Sequence, residues 1–373
     1  MSNFDKRIVL GMSGGVDSSV CAYLLKQQGY EVIGLFMQNW DECVNNDVLG
    51  HISNEDKTCN VYKDFSDAKA VADKLGIEIH KVDFIKEYWD EVFTYVIKEY
   101  KEGATPNPDV LCNKYIKFRE FLNYAKEKFN CSKIAMGHYA NVTKIDGVNC
   151  LTKAVDENKD QTYFLCWLDQ EQVDAVTFPI GNLTKDEVRR IAQEQGLVNW
   201  DKKDSTGICF IGERKFKEFL KNYITPTTGR ILDVISNKRL GTHDGVMFYT
   251  IGQNRDLNMG GNSDKYFVCE KDISTNTLWV VEKKFKDKYL TSTSCTVVEF
   301  NWINGFVPTN DEVQIRFRHR QPLINGRFSV KSDKVFLEYA PTLSVAKGQF
   351  AVLYQGNICL GGGIIKKLGI TNH

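Results

Sequence analysis

The chain has 373 residues, 42% hydrophobic and 26% charged, and its 48 Lys and Arg are balanced by 48 Asp and Glu. The length exceeds one typical domain and predicts two or three; a net charge of zero argues against a chain coated in positive charge but leaves room for a local basic face. No apolar run is long enough to cross a membrane, and the polar residues 1–7 lead straight into a strand, so no membrane partner and no secretory signal are expected and the cytoplasm is the expected location.

Ile8, Val9, Leu10, Gly11 and Met12 predict a short buried strand, and residues 20–28 an amphipathic helix. Between them lie Ser13, Gly14, Gly15, Val16, Asp17, Ser18 and Ser19. Paired glycines let the backbone turn sharply and approach an anion closely. Free N–H groups at the start of the following helix point at that anion, and the helix dipole favours negative charge there. The loop lacks the lysine of G-x-x-x-x-G-K-[ST] and is not G-x-G-x-x-G. The pattern S-G-G-x-D-S resembles the pyrophosphate loop of the ATP pyrophosphatase group, which implies ATP cleaved between the α and β phosphates.

Further along, a strand is expected over 31–37, a polar loop over 41–57, a helix over 65–75 closed by Gly76, a strand over 78–82 ending at Asp83, and a long helix over 87–100. Thr105, Pro106, Asn107 and Pro108 form a stiff, extended entry to the next helix. Asp109 reads as its N-cap, which would put Cys112 in the first turn, where dipole and N–H groups stabilise a thiolate. A strand over 133–137 and a helix over 185–195 closed by Gly196 complete the alternation. It predicts a doubly wound parallel sheet over residues 1–207, with Met12, Met37, Asp83 and Gly137 at carboxyl ends of strands, where ligands bind in such sheets.

From about residue 204 the pattern changes. Asp204, Ser205, Thr206 and Gly207 suggest a flexible approach to Ile208, Cys209, Phe210 and Ile211, and residue spacing alone favours a structural Cys209. A helix over 216–223 and strands over 230–234 and 266–268 suggest a small mixed α/β central domain, residues 208–282. Short alternating strands over 295–300, 312–318, 327–330, 335–339, 349–354 and 358–365 suggest a C-terminal β-barrel, residues 283–373. In a regular strand Arg316, Arg318 and Arg320 share one face and would line up toward solvent as a phosphate-tracking stripe, or simply as a solvated face. Phe317 would point the other way, so contact by both Arg316 and Phe317 needs a strand end or bulge.

Eleven cysteines are scattered with no C-x-x-C, which argues against a zinc ribbon or a thioredoxin-like motif.

The pyrophosphate loop, Asn107-Pro108-Asp109 with Cys112, Gly137-His138-Tyr139, Lys159-Asp160-Gln161 with Tyr163, Ser205 to Cys209, and Tyr249 to Gln253 occur in one order. Together they resemble the bacterial tRNA-specific 2-thiouridylases over essentially the whole chain. The resemblance implies that Gly11, Met12, Ser13, Gly14, Gly15, Val16, Asp17 and Ser18 bind ATP, with Met37 and Gly137 near adenine or ribose. It implies that the O2 of a wobble uridine in tRNA is adenylated, that Cys209 carries a persulfide, and that Cys112 attacks it or otherwise helps release sulfide. A Cys112–Cys209 disulfide, to be reduced afterwards, is implied as the end state. Asp109 is implied to lie at the target base as acid or base. Asn107, Pro108, Asp109, His138, Lys159, Asp160, Gln161, Arg316, Phe317 and Gln349 are implied to lie near tRNA. A sulfur-donor protein, either a relay protein or a cysteine desulfurase, is the second implied partner. Mg2+ is expected because pyrophosphate transfer needs charge neutralisation; no ligand cluster is readable, so phosphate oxygens would supply much of its coordination.

Two other readings remain open from the sequence. An amide-forming synthetase would adenylate a carboxylate, but gives Cys112 and Cys209 no task. A non-catalytic RNA-binding protein would bind tRNA without turning over ATP.

Overall fold

The computed structural model describes residues 6–42, 44–49, 60–204, 215–259 and 265–370. Its first part alternates strand and helix: β1 (Arg7–Gly11), α1 (Val16–Gln27), β2 (Glu31–Gln38), α2 (Asn60–Leu75), β3 (Glu78–Asp83), then two helical runs over 85–101 and 108–129, β4 (Ile134–Ala135), β5 (Asn141–Ile145), β6 (Val148–Thr152), β7 (Val176–Thr177) and a helix Lys185–Glu194. The aliphatic runs of β1 and β2 are buried on both faces, as parallel strands between helix layers must be.

All pairings in this sheet are parallel, and the strand order is β3-β2-β1-β4-β7. One face packs on α1, α2 and the 185–194 helix through Val20, Leu25, Val71, Ala72 and Val188. The other packs on the 85–101 and 108–129 runs through Tyr88, Val92, Cys112, Ile116 and Phe121. The order reverses at β1, whose neighbours are β2 on one side and β4 on the other. A crevice therefore opens between the carboxyl ends of β1 and β4, the usual ligand position in such sheets.

Several boundaries differ from expectation. α1 begins at Val16, so Val16, Asp17, Ser18 and Ser19 belong to its first turn. β4 is only two residues long. Residues 141–152 form an unanticipated hairpin, β5–β6, turned by Asp146 (φ 49°) and Gly147 (φ 86°), the backbone signs of a type I′ turn.

The central segment is a sheet of β8 (Gly229–Asp233), β9 (Arg239–His243), β10 (Tyr266–Asp272) and β11 (Thr277–Glu282) in the order β10-β11-β8-β9, with one parallel pairing, β11–β8. A short helix, Phe216–Leu220, precedes it. The last six strands are β12 (Thr291–Trp302), β13 (Glu312–Arg316), β14 (Ile324–Lys331), β15 (Lys334–Leu343), β16 (Phe350–Gln355) and β17 (Ile358–Ile370). They pair in the order β12-β15-β14-β13-β16-β17, and β12–β17 closes the barrel. β17 also pairs with β6 through Ile358 and Thr152, which ties the barrel to the hairpin of the first part. Among the described residues no helix is long and apolar enough to cross a membrane.

Candidate functional site

Three strand ends converge on the crevice. A Cβ on Gly11 would meet Met136 Sδ at 2.7 Å and Met37 Cε at 3.7 Å, so Gly11, Met37 and the β4 end close on one another. A Cβ on Gly137 would lie 3.1 Å from the Ser18 N–H nitrogen, which keeps β4 tight against the first turn of α1. The turn itself needs glycine. Gly14 has φ +74°, and a Cβ there would sit 2.1 Å from the Asp64 carbonyl oxygen. Gly15 is the N-cap of the 12-residue helix α1 and supplies no side-chain cap, so the leading N–H groups of α1 have the geometry that suits an anion. Ser18 and Ser19 donate their hydroxyls to the Gly15 carbonyl (3.1 and 2.9 Å), and Ser18 Oγ accepts from the Ser13 N–H (3.2 Å). These serines shape the loop more than they line it.

Charged residues remote in sequence brace the loop. Asp17 Oδ1 accepts from Lys185 Nζ (2.7 Å) and from the Tyr139 hydroxyl (3.0 Å). Lys185 also pairs with Asp204 (2.7 Å), which accepts in turn from Lys159 (2.6 Å) and Arg189 (3.1 Å). Asn199 Nδ2 and Lys202 Nζ donate to the Gly14 carbonyl (2.9 and 3.1 Å), and Lys202 pairs with Asp64 and Asp67. The lysine that the loop lacks in sequence is thus brought to it in space. Among these residues Asp64, Asp67, Lys185, Arg189, Asn199 and Lys202 were given no site role from the sequence.

The Asp204 carboxyl is pushed up by burial, but hydrogen bonds and charge from Lys159 and Lys185 outweigh this and hold it down at about 2. A depressed carboxylate contributes stability above its ordinary value near pH 4 and loses it as the pH falls toward 2. Asp204→Asn should therefore flatten the pH dependence of stability between about pH 4 and 2. Chemical denaturation of both proteins across that window checks this; parallel curves would contradict it.

Asn107, Pro108 and Asp109 open a helix over Pro108–Leu111, with one correction. The cap is Asn107, not Asp109. Asn107 Oδ1 accepts from the N–H groups of Asp109 (3.1 Å) and Val110 (3.4 Å), with Pro108 at the first helical position. Cys112 therefore stands one residue beyond the first turn, and its own N–H bonds back to the Pro108 and Asp109 carbonyls. Contrary to expectation, Cys112 lies outside the first turn, where the dipole and free N–H groups would stabilise a thiolate most. Cys112 is wholly buried in the core cluster that also holds Leu35, Trp40 and Met136, and it begins a π-helical stretch, Cys112–Glu120. Such wide turns concentrate at functional sites. Asp109 is half-buried. Cys209 and the residues from Ser205 to Ile208 lie outside the described residues.

His138 packs between Phe118 and Phe178, with ring centroids at 5.6 and 6.1 Å. Burial, aided by the Lys117 charge, holds its pKa well below the ordinary histidine value, so the ring is neutral near pH 7. Its Nδ1 has no partner among the described residues. Asn39, next to the end of β2, is buried with neither amide atom hydrogen-bonded to a described residue. Orphaned buried groups of this kind are uncommon and mark ligand or water positions.

Lys159, Asp160 and Gln161 each hold a different partner. Lys159 takes Asp204, Gln161 Oε1 accepts from the Tyr139 N–H (2.8 Å), and Asp160 forms a buried ion pair with Arg316 (2.8 Å). The exposed arginine stripe does not form. β13 ends at Arg316, whose side chain turns inward to Asp160 and lies over the Tyr354 ring. Phe317 is also interior, 1% exposed, its carbonyl accepting from the Tyr163 hydroxyl (3.1 Å). Arg318 is exposed and donates to the Ile251 and Ser344 carbonyls. Gln349 Nε2 donates to the Thr105 carbonyl (2.8 Å), which joins the barrel to the segment leading to Asn107.

Arg316→Ala would leave the Asp160 carboxylate buried without its counter-charge. The expected cost is about 3–5 kcal/mol of unfolding free energy. Urea denaturation measures it, and a loss below about 1 kcal/mol, typical of a surface pair, would contradict the assignment.

Among the described residues no group of three or more His, Cys, Asp or Glu is arranged to hold a metal ion. Within the loop Asp17 is the only acidic residue.

Family models match the chain in three consecutive pieces: a tRNA methyl transferase HUP domain over residues 6–213, a tRNA methyl transferase PRC-barrel domain over 217–282, and an aminomethyltransferase beta-barrel domain over 292–365. Proteins named tRNA-specific 2-thiouridylase MnmA match it over nearly its full length. The one from Malacoplasma penetrans is 52% identical over 365 residues, covering 97% of this chain and 98% of its own. That from Mycoplasma capricolum subsp. capricolum is 52% identical over 373 residues, covering 97% and 99%. That from Ureaplasma parvum serovar 3 is 50% identical over 368 residues, covering 98% and 95%. The chain belongs to the tRNA-specific 2-thiouridylase MnmA family.

Proposed function

We propose that this chain replaces the 2-oxygen of a wobble uridine in tRNA with sulfur, using ATP and releasing AMP and pyrophosphate. The observation that carries the nucleotide half is the uncapped α1 N-terminus, preceded by the left-handed Gly14 turn, at the reversal point of a parallel sheet. In this reading Gly11, Met12, Ser13, Gly14, Gly15, Val16, Asp17 and Ser18 hold ATP, with Met37 and Gly137 beside the base or ribose. Methyl transfer, the activity after which two of the matching families are named, has no need of a pyrophosphate seat.

The uridine O2 attacks the α-phosphate, the bond to the β-phosphate breaks, and pyrophosphate leaves. The poor oxygen leaving group is thereby converted into AMP. Cys209 carries the transferable sulfur as a persulfide, and the Cys112 thiolate attacks its inner sulfur. Hydrosulfide is released, a Cys112–Cys209 disulfide forms, hydrosulfide adds at C2 and AMP departs. An external thiol reduces the disulfide for the next turnover. Asp109 sits at the target base as acid or base. Asp17 would share a Mg2+ with the phosphate oxygens, and such an ion neutralises charge on the leaving pyrophosphate. Asn107, Pro108, His138, Lys159, Gln161 and Gln349 face the tRNA. Asp160, Arg316 and Phe317 serve it indirectly, by fixing the barrel against the ATP-binding part. The anticodon loop presents unstacked bases, so the uridine can be taken into a pocket without opening a duplex.

Residues 1–207, 208–282 and 283–373 act as the ATP-binding, central and barrel domains in this scheme. The sulfur source is a donor protein that delivers a persulfide sulfur.

An isotope experiment tests the adenylation step. With tRNA carrying 18O at uridine O2, the AMP formed should contain one 18O atom. Unlabelled AMP would contradict it.

A further inference from the structure

Asp17 is the second residue of α1 and the acidic residue of its first turn. A carboxylate there is itself the anion that the dipole and the leading N–H groups favour. Left to rotate, it would settle on those N–H groups and compete with any phosphate brought to them. It is held otherwise. Lys185 Nζ (2.7 Å) and the Tyr139 hydroxyl (3.0 Å) both donate to Oδ1, and no described donor reaches Oδ2. Both donors come from far along the chain, and neither has a task in the scheme above.

Each donor is anchored from behind. Lys185 is 8% exposed and opens the helix Lys185–Glu194. A capping box of Thr184 and Glu187 fixes that helix start, and the Lys185 N–H donates to Asp156 (3.0 Å). The ammonium is also shared with Asp204 (2.7 Å). Tyr139 is 2% exposed, its N–H donates to Gln161 Oε1 and its carbonyl accepts from the Gln161 N–H, both at 2.8 Å. Lys185 Nζ lies 5.8 Å from the centroid of the Tyr139 ring, so the two side chains form one clamp on a single carboxylate oxygen.

We propose that Lys185 and Tyr139 are positioning residues that keep the leading N–H groups of α1 open to phosphate by holding the Asp17 carboxylate off them. The inference rests on the ATP reading above and deepens it. Neither residue is assigned to the phosphates; each acts through Asp17.

The test measures ATP affinity of the full-length protein by calorimetry in EDTA, so that no metal bridges Asp17 to the phosphates. Lys185→Met should weaken binding about tenfold and Tyr139→Phe about threefold, in line with the loss of a charged and a neutral hydrogen bond. Lys185→Met leaves Asp204 paired with Lys159 and Arg189, and thermal unfolding identifies any variant that misfolds. Asp17→Asn removes the competing charge and should bind ATP at least as tightly as wild type. In the Asp17→Asn background Tyr139→Phe should have no effect, and the effect of Lys185→Met should shrink below about threefold. Tyr139→Phe changes no charge, so its cancellation cannot come from net charge, and a purely structural loss would persist in both backgrounds. If wild type binds ATP and the folded Lys185→Met and Tyr139→Phe variants bind it equally well, the clamp is wrong and the ATP reading stands. If Tyr139→Phe weakens binding by the same factor with and without the Asp17 carboxylate, the effect does not pass through Asp17 and the proposal is overturned. If wild type does not bind ATP at all, the parent reading fails with it.

Discussion

Gly14→Ala is expected to reduce ATP-dependent AMP formation by at least ~10²-fold while leaving most of the protein folded. The backbone there has φ +74°, a region that costs an L-residue with a Cβ roughly 1–2 kcal/mol. Space is the larger obstacle. The added methyl would lie 2.1 Å from the carbonyl oxygen of Asp64, a backbone atom of α2 that cannot rotate away. Either the loop or α2 must move, and both Asn199 and Lys202 are bonded to the Gly14 carbonyl. The damage therefore falls on the position of the α1 N-terminus, the group proposed to receive the phosphates. AMP release measured beside circular dichroism separates loop distortion from unfolding. A rate within about threefold of wild type, with ATP affinity intact, would mean that phosphates bind elsewhere.

Cys112→Ser and Cys209→Ser are each expected to lower thiouridine formation by on the order of 10³-fold or more while AMP is still produced. Adenylation and sulfur transfer are separate steps in the proposed scheme, and a hydroxyl cannot stand in for a thiolate as persulfide carrier or nucleophile. Cys112 is wholly buried, so its replacement tests more than surface chemistry, and the thermal stability of the variant must be followed. Loss of AMP as well as thiouridine from a folded variant would place the cysteine in nucleotide binding. Full thiouridine formation by either variant would remove that cysteine from the mechanism.

The turn and helix start proposed to hold phosphate were legible because their signals are local. Strand, paired glycines and helix follow one another over residues 8–28, and the largest difference in the structure is that α1 starts at Val16 instead of residue 20. The Asn107 cap was legible too, yet was assigned to Asp109. Proline favours the first helical position, so Pro108 points to the residue before it as cap. Likewise Asp146-Gly147 between alternating residues is a strong hairpin signal, and β5–β6 follows from it.

Other features depend on partners far away in the chain. Lys185 reaches Asp17 across 168 positions and Asn199 reaches Gly14 across 185, and no local pattern announces either contact. Arg316 has the spacing of a surface stripe, but its role is set by Asp160, 156 positions earlier, and by the end of β13 at that residue. Alternation in a strand specifies which residues share a face; tertiary packing decides what that face meets.

The most direct measurement is nucleoside mass spectrometry of unmodified wobble-uridine tRNA after incubation with the wild-type protein, ATP, Mg2+ and a sulfide source, with AMP quantified in the same samples. The account predicts 2-thiouridine at the wobble position accompanied by AMP, and neither product when ATP is omitted. AMP without thiouridine would indicate a different adenylated substrate, and tRNA binding with no AMP at all would indicate a binding protein; either result would contradict tRNA thiolation as the activity.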